Sequence, residues 1–348
     1  MQPWLELVFA VLAAIVAVCV VWGLLVAFLS VDIPAPPKRD PRPTRTVQEA
    51  LARLKELKAR DTAAFSEVCH TALIEPGGPA KATIVYFHGF TNCPNQFLQG
   101  AAELSQRGYR VLMPRQPHMG FKDVLTHDLH NLIPAEISEL ADTTIDIAVG
   151  FGDPVYVVGL STGGLVAAWT ATTRDEVKRL LASAPVVTPK GVPMPLVRLA
   201  VTFPRLLPPI YLWWDPKKKD KLGESPYVYP GFPLRSIFRF MLFGVLMSSR
   251  IVRPQHALDR VAVTTNVNDA AVSLQEGRWF VRRTFEGHAT QLVEVAIDAR
   301  LGWGHDYVDP SGPAHGSPAQ VADLFLTGLG LTDDETAGGL VKTIALER

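Results

Sequence analysis

The first feature of the hydrophobic pattern is an unbroken apolar stretch from Leu7 to Leu29, which has 23 residues and no charged side chain. At about 1.5 Å per residue, a helix of this length crosses a hydrocarbon core of roughly 30 Å. A soluble core helix normally carries a polar stripe. The apolar region of a cleaved signal peptide is shorter and follows basic residues, which Met1–Glu6 lacks. The pattern therefore predicts an uncleaved transmembrane anchor over residues 4–29.

A proline-rich basic linker is predicted at residues 30–45. Residues 34–45 hold five prolines, which favour an extended, semi-rigid chain, and four basic side chains. The positive-inside rule places such a flank on the cytoplasmic face of a cell membrane. A bridge between Cys69 and Cys93 would instead require an oxidising compartment, although the sequence favours free, small, buried side chains for both cysteines. The side on which the following domain lies is left open.

From residue 46 to about residue 330, short apolar runs alternate with helical patterns. A capping box at Thr46–Glu49 begins the first helix of this region, and Ser317-Pro318 begins the last. Near-continuous apolar strands between helices indicate an α/β domain, with a mostly parallel sheet covered on both faces. Residues 331–348 are predicted to form a loosely held C-terminal tail. The predicted strands are Ala82–Phe87, Tyr109–Met113, Val155–Gly159, Leu180–Ala184, Val261–Val267 and Leu292–Ile297.

The alternation stops at residues 186–256, which are rich in proline and in aromatic side chains. A segment of this length without sheet character, inside an α/β domain, is typical of an inserted lid.

Composition excludes some classes of protein. The chain has 348 residues, with 34 basic and 34 acidic side chains and 48% hydrophobic residues, so it is too apolar to be disordered. Zero net charge provides no basic surface over the whole chain, and no nucleic-acid partner is expected. Three cysteines cannot build a disulfide scaffold.

Candidate chemistry begins at Gly159-Leu160-Ser161-Thr162-Gly163, a G-x-S-x-G motif directly after an apolar strand and directly before a helix. In that context a sharp turn exposes the serine, and the glycines relieve crowding. Ser161 is therefore the predicted nucleophile.

A serine nucleophile needs a base, and the base needs an orienting carboxylate. Asp269 follows one predicted strand, and His305 lies in the loop after the next one. The carboxyl ends of parallel strands share one edge of the sheet, so both side chains are expected to be within reach of Ser161.

Other residues compete for these roles. His288 precedes the last predicted strand, where it would point away from the serine. Asp298 follows the wrong strand, and Asp306 adjoins His305 too closely in sequence to bond its ring nitrogen.

Two backbone N–H groups are predicted to form the oxyanion hole. One belongs to Thr162, at the start of the helix after the serine, and the other to Phe90, in the loop after Ala82–Phe87. His88 is expected to support this turn. The short pattern His127-Asp128-Leu129-His130 is not accompanied by further ligands, and no metal site is predicted.

The ordered set of HGF, GLSTGG, ND and GH, between Ala82 and His305, resembles the α/β-hydrolases. Within them it is similar to bacterial carboxylesterases and monoacylglycerol lipases. The resemblance implies an α/β-hydrolase fold, a Ser161–Asp269–His305 triad, no cofactor and a lid inserted after the sixth strand. The anchor, the linker and the longer aromatic insertion depart from that group.

The expected protein is thus a membrane-anchored serine hydrolase that acts on small or lipid-like acyl esters through an acyl-enzyme. Thioester or amide cleavage on the same triad remains open. A non-catalytic binding protein on a hydrolase fold is a further alternative. The sequence does not set the oligomeric state.

Overall fold

The computed structural model describes residues 3–28, 33, 35–37, 39–204, 207–214, 227–335 and 337–346. These form two compact units, Met1–Ala35 and Pro36–Arg348.

The first unit contains helix α1 (Pro3–Phe28). Apolar side chains along it, among them Val8, Ile15 and Val21, are exposed. Within the part of the chain that the structure describes, no helix combines the length and apolarity needed to cross a membrane. The transmembrane span predicted for residues 4–29, of which Leu29 lies outside the described residues, is therefore not confirmed.

The second unit is built on an eight-stranded sheet with the strand order β1-β3-β2-β4-β5-β8-β9-β10. The six central strands are parallel, and the two edge strands β1 and β10 are antiparallel to their neighbours. The strands are β1 (Ala72–Ile74), β2 (Thr83–Phe87), β3 (Arg110–Met113), β4 (Val155–Leu160), β5 (Val177–Ser183), β8 (Leu258–Thr265), β9 (Ala289–Ile297) and β10 (Val341–Ala345).

Helices cover the sheet in two separate groups. Helix α3 packs against α9. In the other group, α4 contacts α2 and α5, and α7 contacts α5, α6 and α8. Their bounds are α2 (Val47–Lys58), α3 (Leu98–Gln106), α4 (Pro134–Val149), α5 (Thr162–Thr173), α6 (Met194–Thr202), α7 (Leu234–Ser248), α8 (Leu274–Phe285) and α9 (Pro318–Gly328). β2 and β4 are buried along their whole length, as expected for strands covered on both faces.

The six predicted strands are present within a few residues of their predicted bounds, but both edge strands were missed. The expectation of a loose C-terminal tail is wrong for β10, which pairs with β9 from Val341 to Ala345. That strand has only three apolar residues, and they do not alternate with polar ones, so it does not stand out in the sequence. Its stability comes from the pairing with β9.

The predicted linker is also held more firmly than its composition suggested. Thr44 donates its backbone N–H to the Asp146 carbonyl at 2.9 Å, and the Arg42 N–H donates to Asp146 Oδ1 at 3.1 Å. Arg39 donates to Thr143 Oγ1 at 3.0 Å. The basic residues nearest the domain therefore dock on α4 instead of forming a free spacer; Pro34 and Lys38 lie outside the described residues.

The predicted insertion, residues 186–256, contains α6, a two-stranded sheet of β6 (Tyr211–Trp213) and β7 (Gly231–Pro233), and α7. It follows β5, the fifth strand in chain order. Residues 205–206 and 215–226 lie outside the described residues.

A disulfide joins Cys69 to Cys93, with a Cα–Cα distance of 5.1 Å. Both residues are fully buried. The sequence left this pairing open, because proximity between residues 24 positions apart depends on the fold.

Candidate active site

The strand-to-helix turn at Ser161 has a strained backbone. Ser161 has φ 58° and ψ −115°, the conformation of the first central residue of a type II′ turn, which glycine normally occupies. A Cβ on Gly163 would lie 2.0 Å from the Phe87 carbonyl oxygen, and a Cβ on Gly159 would lie 2.1 Å from the Gly163 carbonyl oxygen. The glycines of the motif are therefore required by the close approach of three backbone segments.

The Ser161 side chain precedes α5 but does not cap it. The serine hydroxyl is thus not occupied by the helix amides. As the first residue of α5, Thr162 has an N–H without an acceptor inside the helix. Within the described residues, neither this N–H nor that of Phe90 donates a hydrogen bond. Both donors are available for a negatively charged oxygen, and the positive end of the α5 dipole favours it.

The loop that carries Phe90 lies beside the serine turn because Phe87 at the end of β2 pairs with Gly159. His88 holds this loop. Its Nε2 accepts from the Gln116 N–H at 3.0 Å, so the ring proton must be on Nδ1, which donates to the Gly89 carbonyl at 2.9 Å. Burial lowers the pKa of His88 to about 4, and the imidazole is neutral. His88 therefore supports the turn.

The structure brings Asp269 and His305 together. Asp269 Oδ2 lies 2.7 Å from His305 Nδ1, while Asp269 Oδ1 accepts from the N–H groups of Ala271 (2.7 Å) and Val272 (3.1 Å). Burial alone would raise the pKa of Asp269, but the hydrogen bonds from His305 and the two amides hold it below its ordinary value. Asp269 is thus an ionised, fixed acceptor for one imidazole nitrogen.

The four predicted site residues that follow strands lie at the same edge of the sheet, at the carboxyl ends of those strands. Ser161 follows β4, Phe90 follows β2, Asp269 follows β8 and His305 follows β9, and these strands are parallel. The competitors lie elsewhere. His288 precedes β9 and accepts from the Leu258 N–H through its backbone.

The two competing aspartates have other partners. Asp298 binds Arg300. Asp306 accepts from Gln96 Nε2 at 2.9 Å and Asn92 Nδ2 at 3.2 Å. Neither is hydrogen-bonded to the His305 ring, as the sequence reasoning expected.

Sequence reasoning missed Asn266, which holds the loop that carries His305 after β9; we call this segment the histidine loop. Asn266 donates through Nδ2 to the carbonyls of Trp303 (2.8 Å) and Gly304 (3.0 Å), and its own carbonyl accepts from the Asp269 N–H at 3.0 Å. It therefore joins the two loops that carry Asp269 and His305. Asn266 directly follows Thr265, the last residue of β8, and lies inside the run Val261–Val267 that was predicted as a strand, so the sequence offered no separate signal for it.

Aromatic side chains of the insertion surround Phe90. The ring centroid of Phe90 lies 5.0 Å from that of Phe232, 5.8 Å from that of Phe240 and 6.3 Å from that of Trp214. Trp214 Nε1 also donates to Thr91 Oγ1 at 2.9 Å. We call Phe90, Trp214, Phe232 and Phe240 the aromatic cluster. It gives an apolar neighbourhood to residues 88–92 after β2, which we call the oxyanion loop.

A cavity of about 230 Å³ lies at His118, and Ser161, Asp269 and His305 do not line it. His118 bridges two carboxylates there, with Nδ1 2.7 Å from Asp128 Oδ2 and Nε2 3.1 Å from Glu136 Oε2. Among the described residues, no group of three or more potential ligands is arranged to hold a metal ion.

Residues 78–242, just under half of the chain, match the family model described as serine aminopeptidase, S33. No curated protein sequence matches the chain.

Solved structures are similar over most of the chain. A metagenome-derived lipolytic enzyme of the LipS and LipT pair is 17% identical with a TM-score of 0.50, covering 77% of this chain and 100% of its own. A soluble variant of monoglyceride lipase from Saccharomyces cerevisiae is 15% identical with a TM-score of 0.54, covering 78% and 90%. A monoacylglycerol lipase from Paleococcus ferrophilus is 19% identical with a TM-score of 0.47, covering 65% and 88%.

At these identities the likeness concerns the fold. The parallel sheet, the strained serine turn between β4 and α5, and the family and fold matches agree with one another. The chain has an α/β-hydrolase fold.

Proposed function

We propose that this protein is a serine hydrolase that cleaves carboxylic acyl esters, with Ser161 as nucleophile, His305 as general base and Asp269 as the carboxylate that orients the base. The hydrogen bond of 2.7 Å between His305 Nδ1 and Asp269 Oδ2 carries this proposal. It places the proton on Nδ1 and leaves the lone pair of Nε2 to accept a proton.

In the first half of the reaction, Ser161 Oγ attacks the ester carbonyl carbon while His305 Nε2 takes the hydroxyl proton. The carbonyl oxygen becomes an oxyanion, which the N–H groups of Phe90 and Thr162 stabilise. When the C–O bond to the leaving alcohol breaks, His305 returns the proton to that alcohol. A water molecule then attacks the acyl-enzyme by the same route, with His305 again as base, and releases the carboxylic acid and free Ser161.

The aromatic cluster favours an apolar acyl group as substrate. Phe90 and Phe240 are buried and Trp214 is half exposed, so an acyl chain placed beside the oxyanion loop would contact apolar surface. Two of the similar structures are described as a lipolytic enzyme and a monoglyceride lipase, which agrees with lipid-like esters.

The test is hydrolysis of p-nitrophenyl esters of increasing acyl length by the wild type and by Ser161→Ala. The variant is expected to lose activity and fluorophosphonate labelling, whereas Ser105→Ala, a hydroxyl deletion on the exposed side of α3, should retain both. Wild-type hydrolysis rates in Ser161→Ala would overturn the proposal. Failure of the wild type to be labelled would favour a non-catalytic binding protein.

Amide cleavage is a second candidate, because the family model that matches residues 78–242 is described as an aminopeptidase. The triad chemistry does not separate esters, thioesters and amides, since each proceeds through the same acyl-enzyme. Comparison of kcat/KM on matched ester, thioester and amide substrates decides between them. An aminopeptidase would cleave amides faster when the α-amino group is free.

A membrane location is a separate proposal. It rests on the apolar sequence of residues 7–29 and on the exposed side chains of α1. The Cys69–Cys93 disulfide favours an oxidising compartment for the second unit, against the cytoplasmic face that the basic flank favours. Membrane fractionation, followed by protease treatment of intact cells, tests both points: recovery in the soluble fraction contradicts the anchor, and protection from protease contradicts the oxidising side.

A further inference from the structure

One buried amide joins the oxyanion loop to the histidine loop. Gln96, which is 2% exposed, accepts through Oε1 from the Gly89 N–H at 2.8 Å and from the Tyr86 hydroxyl at 3.1 Å. Its Nε2 donates to Asp306 Oδ1 at 2.9 Å. The orientation of the amide is fixed, because the Gly89 N–H can only donate and must meet the oxygen of the side chain.

These contacts lie next to the reacting groups on both sides. Gly89 precedes Phe90, whose N–H is the proposed oxyanion donor, and Asp306 follows His305, the proposed base. A second amide runs in parallel, since Asn92 Nδ2 donates to Asp306 Oδ2 at 3.2 Å and to Asp309 Oδ2 at 3.3 Å.

Each loop also has its own anchor. Asn266 holds the carbonyls before His305, and His88 holds the turn before Phe90 through the Gln116 N–H. Each loop therefore has an anchor that does not involve Gln96. What Gln96 adds is the placement of one loop relative to the other.

We propose that Gln96 is a positioning residue that sets the distance and orientation of the general base His305 relative to the oxyanion hole, by binding Asp306 and Gly89 at once. This inference rests on the proposed function. Its physical basis is that the base and the oxyanion donors act on the same tetrahedral intermediate. A shift of one relative to the other therefore weakens binding of the transition state more than binding of the substrate.

The first experiment compares Gln96→Leu with wild type on a p-nitrophenyl ester. We expect kcat to fall about 10- to 100-fold with KM within about twofold, and fluorophosphonate labelling of Ser161 to slow by a similar factor. Gln291→Leu is the matched control, because Gln291 is exposed and binds Arg260 near the amino-terminal end of β9. It should retain wild-type kcat.

The second experiment uses Gln96→Glu, which keeps the acceptor for Gly89 but turns a carboxylate towards Asp306. The ratio of its kcat to that of the wild type should rise as pH falls from 8 to 5.5, when a proton can be shared between the two carboxylates. A role in stability alone would leave this ratio constant. Gln96 contacts two titratable groups, Tyr86 from β2 and Asp306 from the loop after β9. The charges of Asp309 and His305 act on Asp306, and Tyr227 from the insertion donates to Asp309.

Three results would overturn the positioning role: a Gln96→Leu variant with kcat within twofold of wild type, a Gln96→Leu variant whose lower activity equals its loss of folded protein, or a Gln96→Glu variant whose kcat ratio to wild type is constant between pH 8 and 5.5. In all three cases the proposed function stands if Ser161→Ala is inactive. If Ser161→Ala retains wild-type activity, the proposed function itself fails, whatever the Gln96 variants do.

Discussion

His305 Nδ1 lies 2.7 Å from Asp269 Oδ2, although 36 residues separate them in the chain. The other carboxylate oxygen is already bound by the N–H groups of Ala271 and Val272. The carboxylate can therefore present only one oxygen to the imidazole, and the ring has one orientation and one tautomer.

Asp269→Asn should abolish most activity without a large change in shape. The Asn oxygen must face the two backbone N–H groups, so its NH₂ faces His305 and forces the proton onto Nε2, where it cannot accept one from Ser161. We expect kcat to fall about 10³- to 10⁴-fold, measured with p-nitrophenyl acetate. Asp259→Asn, at the exposed opposite end of β8, should retain activity. A loss of less than tenfold in Asp269→Asn would contradict the proposed role.

Because the backbone at Ser161 is strained, we expect the protein to be more stable with glycine than with alanine at this position. Both Ser161→Gly and Ser161→Ala lack the nucleophile, but only glycine adopts φ 58° without steric cost. Ser161→Gly should exceed Ser161→Ala in the free energy of unfolding by about 1 kcal/mol, measured in urea. Equal stabilities would show that the strain is absent in solution.

Gly163→Ala should disrupt the serine turn. The added Cβ would lie 2.0 Å from the Phe87 carbonyl oxygen and 2.5 Å from that of His88, both of which belong to the backbone and cannot rotate away. We expect the free energy of unfolding to fall by about 3 kcal/mol, together with loss of fluorophosphonate labelling. Gly77→Ala is the control, because nothing lies within 4 Å of the added Cβ. Normal labelling of Gly163→Ala would argue against the close approach.

The stability of the protein should depend on pH through Asp306. Burial, together with the neighbouring charge of Asp309, raises the pKa of Asp306 from 3.8 to about 6. Between these values the folded state holds more protons than the unfolded state. This group therefore destabilises the fold above pH 6, and the penalty is relieved as pH falls towards 4.

Asp306→Asn lacks that titration, so the comparison isolates it. The free energy of unfolding of the variant, relative to wild type, should fall by about 1–3 kcal/mol between pH 7.5 and pH 4.5. Burial also lowers the pKa of His88 to about 4, so this residue destabilises the folded protein as pH falls through the same range. His88 is present in both proteins, and its contribution to the difference cancels. A constant difference across this range would show that Asp306 does not titrate there.

Reduction of the Cys69–Cys93 disulfide should destabilise the second unit. The bond closes a loop of 24 residues, and Cys93 follows directly on the oxyanion loop. Urea unfolding with and without a reductant is expected to differ by about 3 kcal/mol. Cys19→Ser should show the same difference, and the Cys69→Ala/Cys93→Ala double variant should not respond to reductant. A wild type that does not respond would contradict a disulfide in solution.

The local elements were determined by the sequence. Apolar runs identified the six central strands, and the capping residues Thr46 and Ser317 marked the starts of α2 and α9. The G-x-S-x-G motif identified Ser161, because a tight strand-to-helix turn requires small residues at fixed spacing. Each of these signals depends on neighbours within a few positions.

Interactions between distant segments were decided only by the tertiary structure. The β9–β10 pairing, the docking of Thr44 on Asp146, the Cys69–Cys93 bond, and the contacts of Gln96 and Asn266 all join segments whose proximity has no local sequence pattern. A buried amide is specified by the donors and acceptors around it, which come from different strands and loops. The sequence therefore identifies the reacting groups, whereas the packed sheet edge determines how they are held relative to one another.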